Sequence, residues 1–255
     1  MNESKAAGPD LAHADIGLVC ALPLEIAPFI ERCEKVRKYT GGDFVFRGGR
    51  YDSIRIAAVE TGVGFARARR ATQSLLDAHS PPWILSVGFS GSLRADICVG
   101  QIVVATSISD VHGQSLTLDV SVPAEPEKGL HVGPIVNTDA IVRTVDEKQQ
   151  LAEQTGAIAV DLESLAVAQV CRDRGVPFMA VRVISDDMSR DLPPEILSLF
   201  GTTGTVRLGA AVTALWKRPA SGKDMWAMRE SARKAALKLA GFLDGVVHQL
   251  YEAKH

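Results

Sequence analysis

The feature that most constrains this chain is a set of short, almost wholly apolar runs separated by helix-patterned segments. Residues 16–22 (IGLVCAL), 83–93 (WILSVGFSGSL), 100–110 (GQIVVATSISD), 157–160 (AIAV) and 177–184 (PFMAVRVI) carry only two charges among them, Asp110 and Arg182. A half-buried strand alternates apolar and polar side chains, so runs like these read as strands covered on both faces. The intervening segments have helix spacing. Ile26, Phe29, Ile30 and Cys33 share a face over 23–36, and Ala68, Thr72, Leu75, Leu76 and His79 share one over 65–82, where Pro81-Pro82 ends the helix. Two further helices are predicted over 138–156 and 162–175, each stopped by its final glycine. Apolar strands alternating with helices predict an α/β protein: a single three-layer domain with a mixed central sheet flanked by helices. A length of 255 residues suits one such domain with a substantial core.

The remaining segments are less regular. Residues 1–14 are polar and small and read as a tail, with the domain spanning 15–255. Residues 44–62 read as a hairpin turning at Gly48-Gly49 or at Tyr51-Asp52 and ending in a buried strand. The Pro-, Gly- and Ser-rich stretch 111–133 reads as a long excursion or hairpin. Residues 188–255 form a helical C-terminal extension, broken at 217–223 (KRPASGK) and ending in an amphipathic helix over 228–253. Trp216 and Trp226 read as packing residues. Arg182 points away from its apolar strand neighbours, as expected of a side chain that pairs with an acid.

Several function classes are excluded early. A net charge of −2 without a long basic run gives no phosphate-backbone groove, so nucleic acid is not an expected partner. Cys20, Cys33, Cys98 and Cys171 form no CxxC pair and read as buried free thiols. The six histidines lack HxxxH or HExxH spacing, so no metal site is expected, nor any organic cofactor. No apolar stretch approaches the ~18 residues that span a bilayer, and the N-terminus lacks the charge and apolar pattern of a signal peptide. The expected location is the cytoplasm.

In open α/β sheets ligands bind beyond the carboxyl ends of the strands. Five such ends stand out: 22–25, 61–64, 88–92, 161–163 and 185–187. Three carry carboxylates and two are glycine-rich, a combination suited to a polyol held by acids and backbone amides. Each acid has two readings. Glu25 and Glu163 are first-turn helix acids, complementing the helix dipole by about 0.3–1 kcal/mol, or they are a base that activates water and a clamp on vicinal hydroxyls. Asp186 is a loop acid or N-cap, or a general acid. The segment 61–64 (TGVG) lacks the spacing of a dinucleotide or P-loop fingerprint. The segment 88–92 (GFSGS) ends in serine where a nucleophile elbow requires glycine, which argues against a serine hydrolase.

Taken together, IGLVCALPLE, ETGVG, VGFSGSL followed by VGQIVVA, and AIAVDLESLAVAQVCRDRGVPFMAVRVISD resemble the 5′-methylthioadenosine/S-adenosylhomocysteine nucleosidases of the purine nucleoside phosphorylase superfamily. The resemblance covers roughly residues 16–187 and is most specific over 157–186. It implies that Glu25 positions and deprotonates the attacking water, that Glu163 grips the ribose hydroxyls, and that Asp186 protonates N7 of the purine. It also implies substrate contacts from Asp161, Leu162, Val63, Phe89, Ser90, Gly91, Ile141 and Ser185. It further implies a small-molecule nucleoside substrate and a homodimer or higher homo-oligomer.

Three departures accompany the resemblance. The family's E-M-E is Asp161-Leu162-Glu163, its small residue in the glycine loop is Phe89, and its base-stacking aromatic is Ile141. Ser86 and Phe89 occupy positions where related phosphorylases hold phosphate, which favours water as acceptor, with Arg47, Arg50 and Arg67 as the cations still within reach. The segment after Asp186 resembles the hopanoid-associated branch, which implies an apolar 5′ group such as that of adenosylhopane. The competing expectations are a phosphate-dependent phosphorylase and a non-catalytic nucleoside-binding protein.

Overall fold

The computed structural model describes residues 13–194, 196 and 223–253, with side chains from 230 onward in the last stretch. The predicted tail lies almost wholly outside the described residues, as do residues 195, 197–222 and 254–255 of the 188–255 extension, with most of its break at 217–223, Trp216 and the side chain of Trp226.

In chain order the elements are β1 (Ile16–Cys20), α1 (Pro23–Ile30), β2 (Glu34–Gly41), β3 (Phe44–Tyr51), β4 (Ile54–Glu60), α2 (Phe65–His79), β5 (Ile84–Ser92), β6 (Ile102–Asp110), β7 (Ser115–Thr117), a 3₁₀ turn (Pro126–Lys128), β8 (Leu130–Asn137), α3 (Val145–Thr155), β9 (Ala159–Asp161), α4 (Ser164–Arg174), β10 (Phe178–Asp186) and α5 (Lys223–Glu252). The strands form one mixed sheet in the order β10-β6-β8-β9-β5-β1-β4-β3-β2. β1 runs parallel to β4 and β5, and β5 runs parallel to β10. Because β10 also pairs with β6 and β9 pairs with β5, the strands β5, β10, β6, β8 and β9 close on themselves.

The three predicted layers are present. On one face Ile26 and Phe29 of α1 and Ala235, Leu239, Leu243 and Val247 of α5 pack on Leu18, Leu85 and Val183. On the other, Ala68, Ala71 and Leu75 of α2 and Val167 and Val170 of α4 pack on Val19, Val59 and Ile84. Each large apolar side chain so buried contributes about 1.5–3 kcal/mol. With helices on both faces, the central strands have no solvent side on which polar residues could alternate.

Several boundaries differ from the sequence expectation. The first helix stops at Ile30, and residues 34–41 form the edge strand β2, paired to β3 with its side chains exposed. Pairing rather than burial makes this a strand, so no apolar pattern marks it. The hairpin turns after Tyr51, while Gly48 and Gly49 lie mid-strand opposite Ala57 and Ile56. The stretch 111–133 holds the short β7 hairpin on β6 and the start of β8. A register shift opposite Thr106 accommodates Pro134, which has no N–H to give the ladder. The helix predicted from 138 begins at Val145, where Thr144 and Glu147 cap each other reciprocally. Cys98 is exposed and Cys33 half-buried, so only Cys20 and Cys171 are the buried thiols expected.

Candidate active site

A cleft opens where β1, β4, β5, β9 and β10 end. Its lining includes Glu25, Val63, Phe89, Ser90, Gly91, Ile141, Asp161, Leu162, Glu163, Ser185 and Asp186, every site residue named from the sequence. Leu22, from the marked strand end 22–25, joins Val142, Val160, Leu192, Ile196 and Ala232 in an apolar wall, and the sequence pattern did not mark these last five. Leu192 and Ile196 come from the segment after β10, and Ala232 from α5. Val142 lies on the irregular stretch before α3 that was expected to be helical.

Glu25 is 4 % exposed. The Leu22 N–H donates to its Oε2 at 2.8 Å and the Phe89 N–H donates to its Oε1 at 3.0 Å. The first bond folds the Glu25 side chain back onto the backbone N–H at the N-cap of α1, and the second ties the helix to β5. Gly88 makes this approach feasible, because a Cβ there would sit 2.7 Å from Glu25 Oε1. Burial raises the Glu25 pKa, opposed by these two amide donors. Both oxygens are therefore oriented by neutral groups.

Glu163 occupies the N-cap of α4, just outside the helix where the sequence reading had put it, and its side chain makes no capping bond. It reaches across the cleft instead, where the Gly64 N–H donates to Oε1 at 2.7 Å. Burial, and then the charge of Asp161, raise its pKa. The capping work falls to Asp161, which accepts from the Ser164 N–H at 3.2 Å and from the Ser164 hydroxyl. Asp161 also pairs with Arg182, whose Nε lies 2.6 Å from Oδ2. The Arg182 guanidinium then donates to Ser86 Oγ at 2.8 Å and Ser164 Oγ at 2.7 Å. The acid expected to pair with Arg182 is thus Asp161.

Asp186 differs in its company. Lys148 Nζ on α3 lies 2.6 Å from its Oδ2, and Ser185 Oγ donates to its Oδ1 at 2.9 Å. Lys148 is fully buried. Sequence reading missed it, because a lysine on a helix with only Leu151 as a second buried residue looks like any solvated lysine. Gly91 leaves the room this pair needs, since a Cβ there would lie 3.0 Å from Asp186 Oδ2 and 3.4 Å from Lys148 Cε.

Ser90 Oγ is buried with no hydrogen-bond partner. With no base bonded to it, it is not an activated serine nucleophile. Phe89 is the only aromatic side chain among the described lining residues. Among those residues no arginine or lysine lines the cleft. Arg47 pairs with Glu60, Arg67 donates to the Thr61 carbonyl at 2.7 Å, and Arg50 donates to the Ser53 carbonyl at 3.4 Å. Among the described residues no group of three or more His, Cys, Asp or Glu side chains has the geometry to hold a metal, and no helix is long and apolar enough to cross a membrane.

The family model described as the phosphorylase superfamily matches residues 15–129 and 124–215. The 5′-methylthioadenosine/S-adenosylhomocysteine nucleosidase of Maridesulfovibrio salexigens is 22 % identical over 201 residues, covering 69 % of this chain and 87 % of that protein. The nucleosidase of the same name from Staphylococcus haemolyticus is 23 % identical over 195 residues, covering 67 % and 86 %. In structure, a 5′-methylthioadenosine/S-adenosyl homocysteine nucleosidase of Helicobacter pylori superposes with a TM-score of 0.68 at 23 % identity, covering 92 % of this chain and 97 % of that one. A futalosine hydrolase of Helicobacter pylori superposes with a TM-score of 0.66 at 22 % identity, with coverage of 92 % and 97 %.

Proposed function

The chain belongs to the phosphorylase superfamily, and from that premise we propose that it is a purine nucleosidase, hydrolysing the bond between adenine and ribose in a 5′-modified adenosine. The observation that carries this reading is the convergence of three carboxylates, Glu25, Glu163 and Asp186, on one cleft with an apolar wall. A ribosyl transition state resembles an oxocarbenium ion, so carboxylates around it stabilise developing positive charge. Glu25, held by two amides and with its pKa raised by burial, is suited to take a proton from water. Glu163, with one oxygen on Gly64 and the other unassigned, is suited to accept from ribose hydroxyls. Asp186, which lines the cleft, is suited to assist departure of the base, which leaves poorly unless protonated.

Water is favoured over phosphate because the described lining offers an incoming dianion no cation, and Arg182 is spent on Asp161. A phosphorylase is the second reading, since that is the reaction the family's description names. Incubating the protein with a nucleoside panel, with and without phosphate, decides between them. Free ribose independent of phosphate is expected, and ribose-1-phosphate formation overturns the hydrolytic reading. Ligand binding without base release from any member would instead leave a nucleoside-binding protein.

The finer proposal concerns the 5′ group. Ile141, Val142, Leu192 and Ile196 form an apolar flank, which suits a thioether or a larger hydrocarbon such as the hopane of adenosylhopane. Faster adenine release from adenosines with long apolar 5′ groups than from methylthioadenosine is expected, and the reverse order rejects the larger substituent. We propose a cytoplasmic homodimer, a state that sedimentation tests.

A further inference from the structure

We propose that Lys148 is the proton source for Asp186, so that the two act as a dyad that delivers one proton to the departing base; this rests on the nucleosidase reading above. Lys148 Nζ donates to Asp186 Oδ2 at 2.6 Å, to the Asp187 carbonyl at 3.0 Å and to the Asp186 carbonyl at 3.5 Å. Its side chain is wholly buried, whereas the Asp186 side chain keeps 18 % exposure and lines the cleft. The carboxyl thus stands between a cation behind it and the cleft in front. Both of its oxygens already accept hydrogen bonds, Oδ2 from Lys148 and Oδ1 from Ser185. To act as a donor it must first acquire a proton, and the nearest acidic one is on Lys148.

The choice of cation fits this role. A lysine ammonium can give up its proton in a dry site, whereas an arginine guanidinium cannot. A filled cleft excludes water, so the proton passes directly between Lys148 Nζ and Asp186 Oδ2, 2.6 Å apart. The step balances as follows. The bonding electrons of the sugar–base bond leave with the base, which takes the proton from Asp186. Asp186 takes one from Lys148. Water adds hydroxide to the sugar carbon and its other proton passes through Glu25 to solvent. Lys148 recovers a proton from solvent once the cleft opens. Lys148 touches no substrate and is a positioning residue in this scheme.

The test compares two leaving groups on the same 5-methylthioribosyl unit: adenine, which requires protonation, and p-nitrophenolate, which does not. Release of p-nitrophenolate by the wild-type protein reports the nucleosidase reading by itself; if neither compound is cleaved, that reading falls and the dyad with it. Lys148→Met and Lys148→Arg are each expected to lose about 100-fold or more in kcat on methylthioadenosine, the scale of a lost general acid, with KM little changed. On the p-nitrophenyl compound both are expected to stay within about fivefold of wild type. Full rescue by Lys148→Arg would show that a permanent cation suffices and would overturn the proposal, as would parallel losses on both substrates. If neither variant folds, single-turnover rates of wild type in mixtures of light and heavy water decide. The Asp186 and Lys148 protons add to the one that Glu25 takes from water. The dependence on deuterium fraction is therefore expected to be curved with methylthioadenosine, more strongly than two protons allow, and linear with the p-nitrophenyl compound. A methylthioadenosine curve that two protons fit, or a straight line, rejects the relay.

Discussion

Two buried ion pairs flank the cleft, both at 2.6 Å, and they are built for different tasks. Arg182–Asp161 is sealed, with side chains 3 % and 1 % exposed, and it is saturated by Ser86 and Ser164. Lys148–Asp186 is sealed on the lysine side and open to the cleft on the aspartate side. The first uses the cation that never gives up its proton, and the second uses the one that can. The contrast separates scaffold from chemistry more clearly than burial does, because both cations are buried. The sealed pair fixes the corner between β9 and α4, from which Glu163 projects. The open pair places a titratable group at the end of β10.

Breaking the sealed pair should have the largest effect. Arg182→Met leaves Asp161 as an unpaired buried charge, which costs about 3–5 kcal/mol. For a chain of this size, at about 2–4 °C per kcal/mol, melting should fall by roughly 6–20 °C. A loss of under about 2 °C by calorimetry would dissolve the contrast from the structural side. Next comes Asp186→Asn, which should lower kcat by about 10²–10⁴-fold while nucleoside binding by titration calorimetry persists. Unchanged turnover would remove Asp186 from the chemistry.

Gly91→Ala inserts a methyl group 3.0 Å from Asp186 Oδ2, 3.2 Å from Val160 Cγ1 and 3.4 Å from Lys148 Cε. Overpacking of this kind costs about 1–3 kcal/mol, and turnover should fall with it, because the carboxyl must shift. A variant with wild-type kcat would show that the geometry of the pair is not critical.

The smallest effect has the opposite sign. The Glu163 pKa is raised, so the folded state holds that proton more tightly than the unfolded chain does. Stability from this group is therefore present below the ordinary carboxylate range and is lost as pH rises above about 5. Glu163→Gln removes the ionisation and keeps an oxygen for the Gly64 N–H. Melting at pH 8 should rise by about 2 °C, the difference should vanish at pH 4, and KM should increase. Glu25→Gln offers no such gain, since both Glu25 oxygens accept amide N–H groups and a side-chain NH₂ would face one of them. In wild type, with both glutamate pKa values raised, activity should begin to fall on acidification while still above about pH 5. A profile flat down to pH 4 would contradict that.

Much of this was readable from residue order. Apolar strands and helix spacing give the three layers because burial on both faces leaves a local trace in every strand. The ends of those strands are also local features, which is why Glu25, Glu163 and Asp186 could be singled out and why the structure brings them to one cleft. The edge strand β2 left no trace, because its side chains face solvent and only its pairing with β3 defines it. The closure of β5, β10, β6, β8 and β9 into a ring was equally invisible, since pairings between distant strands are not written in the pattern of any one of them.

The sequence by itself determined which residues stand where strands end, because hydrophobic periodicity acts over a few residues. Tertiary structure alone decided their partners. Lys148 lies 38 positions from Asp186 and looks like any helix lysine until the fold brings its ammonium to the end of β10. Glu163 looks like a helix-dipole acid until Gly64, 99 positions away, draws it across the cleft. The charge and hydrogen-bonding state of a carboxylate depends on what lies within a few ångströms in space, and chain order does not encode that distance.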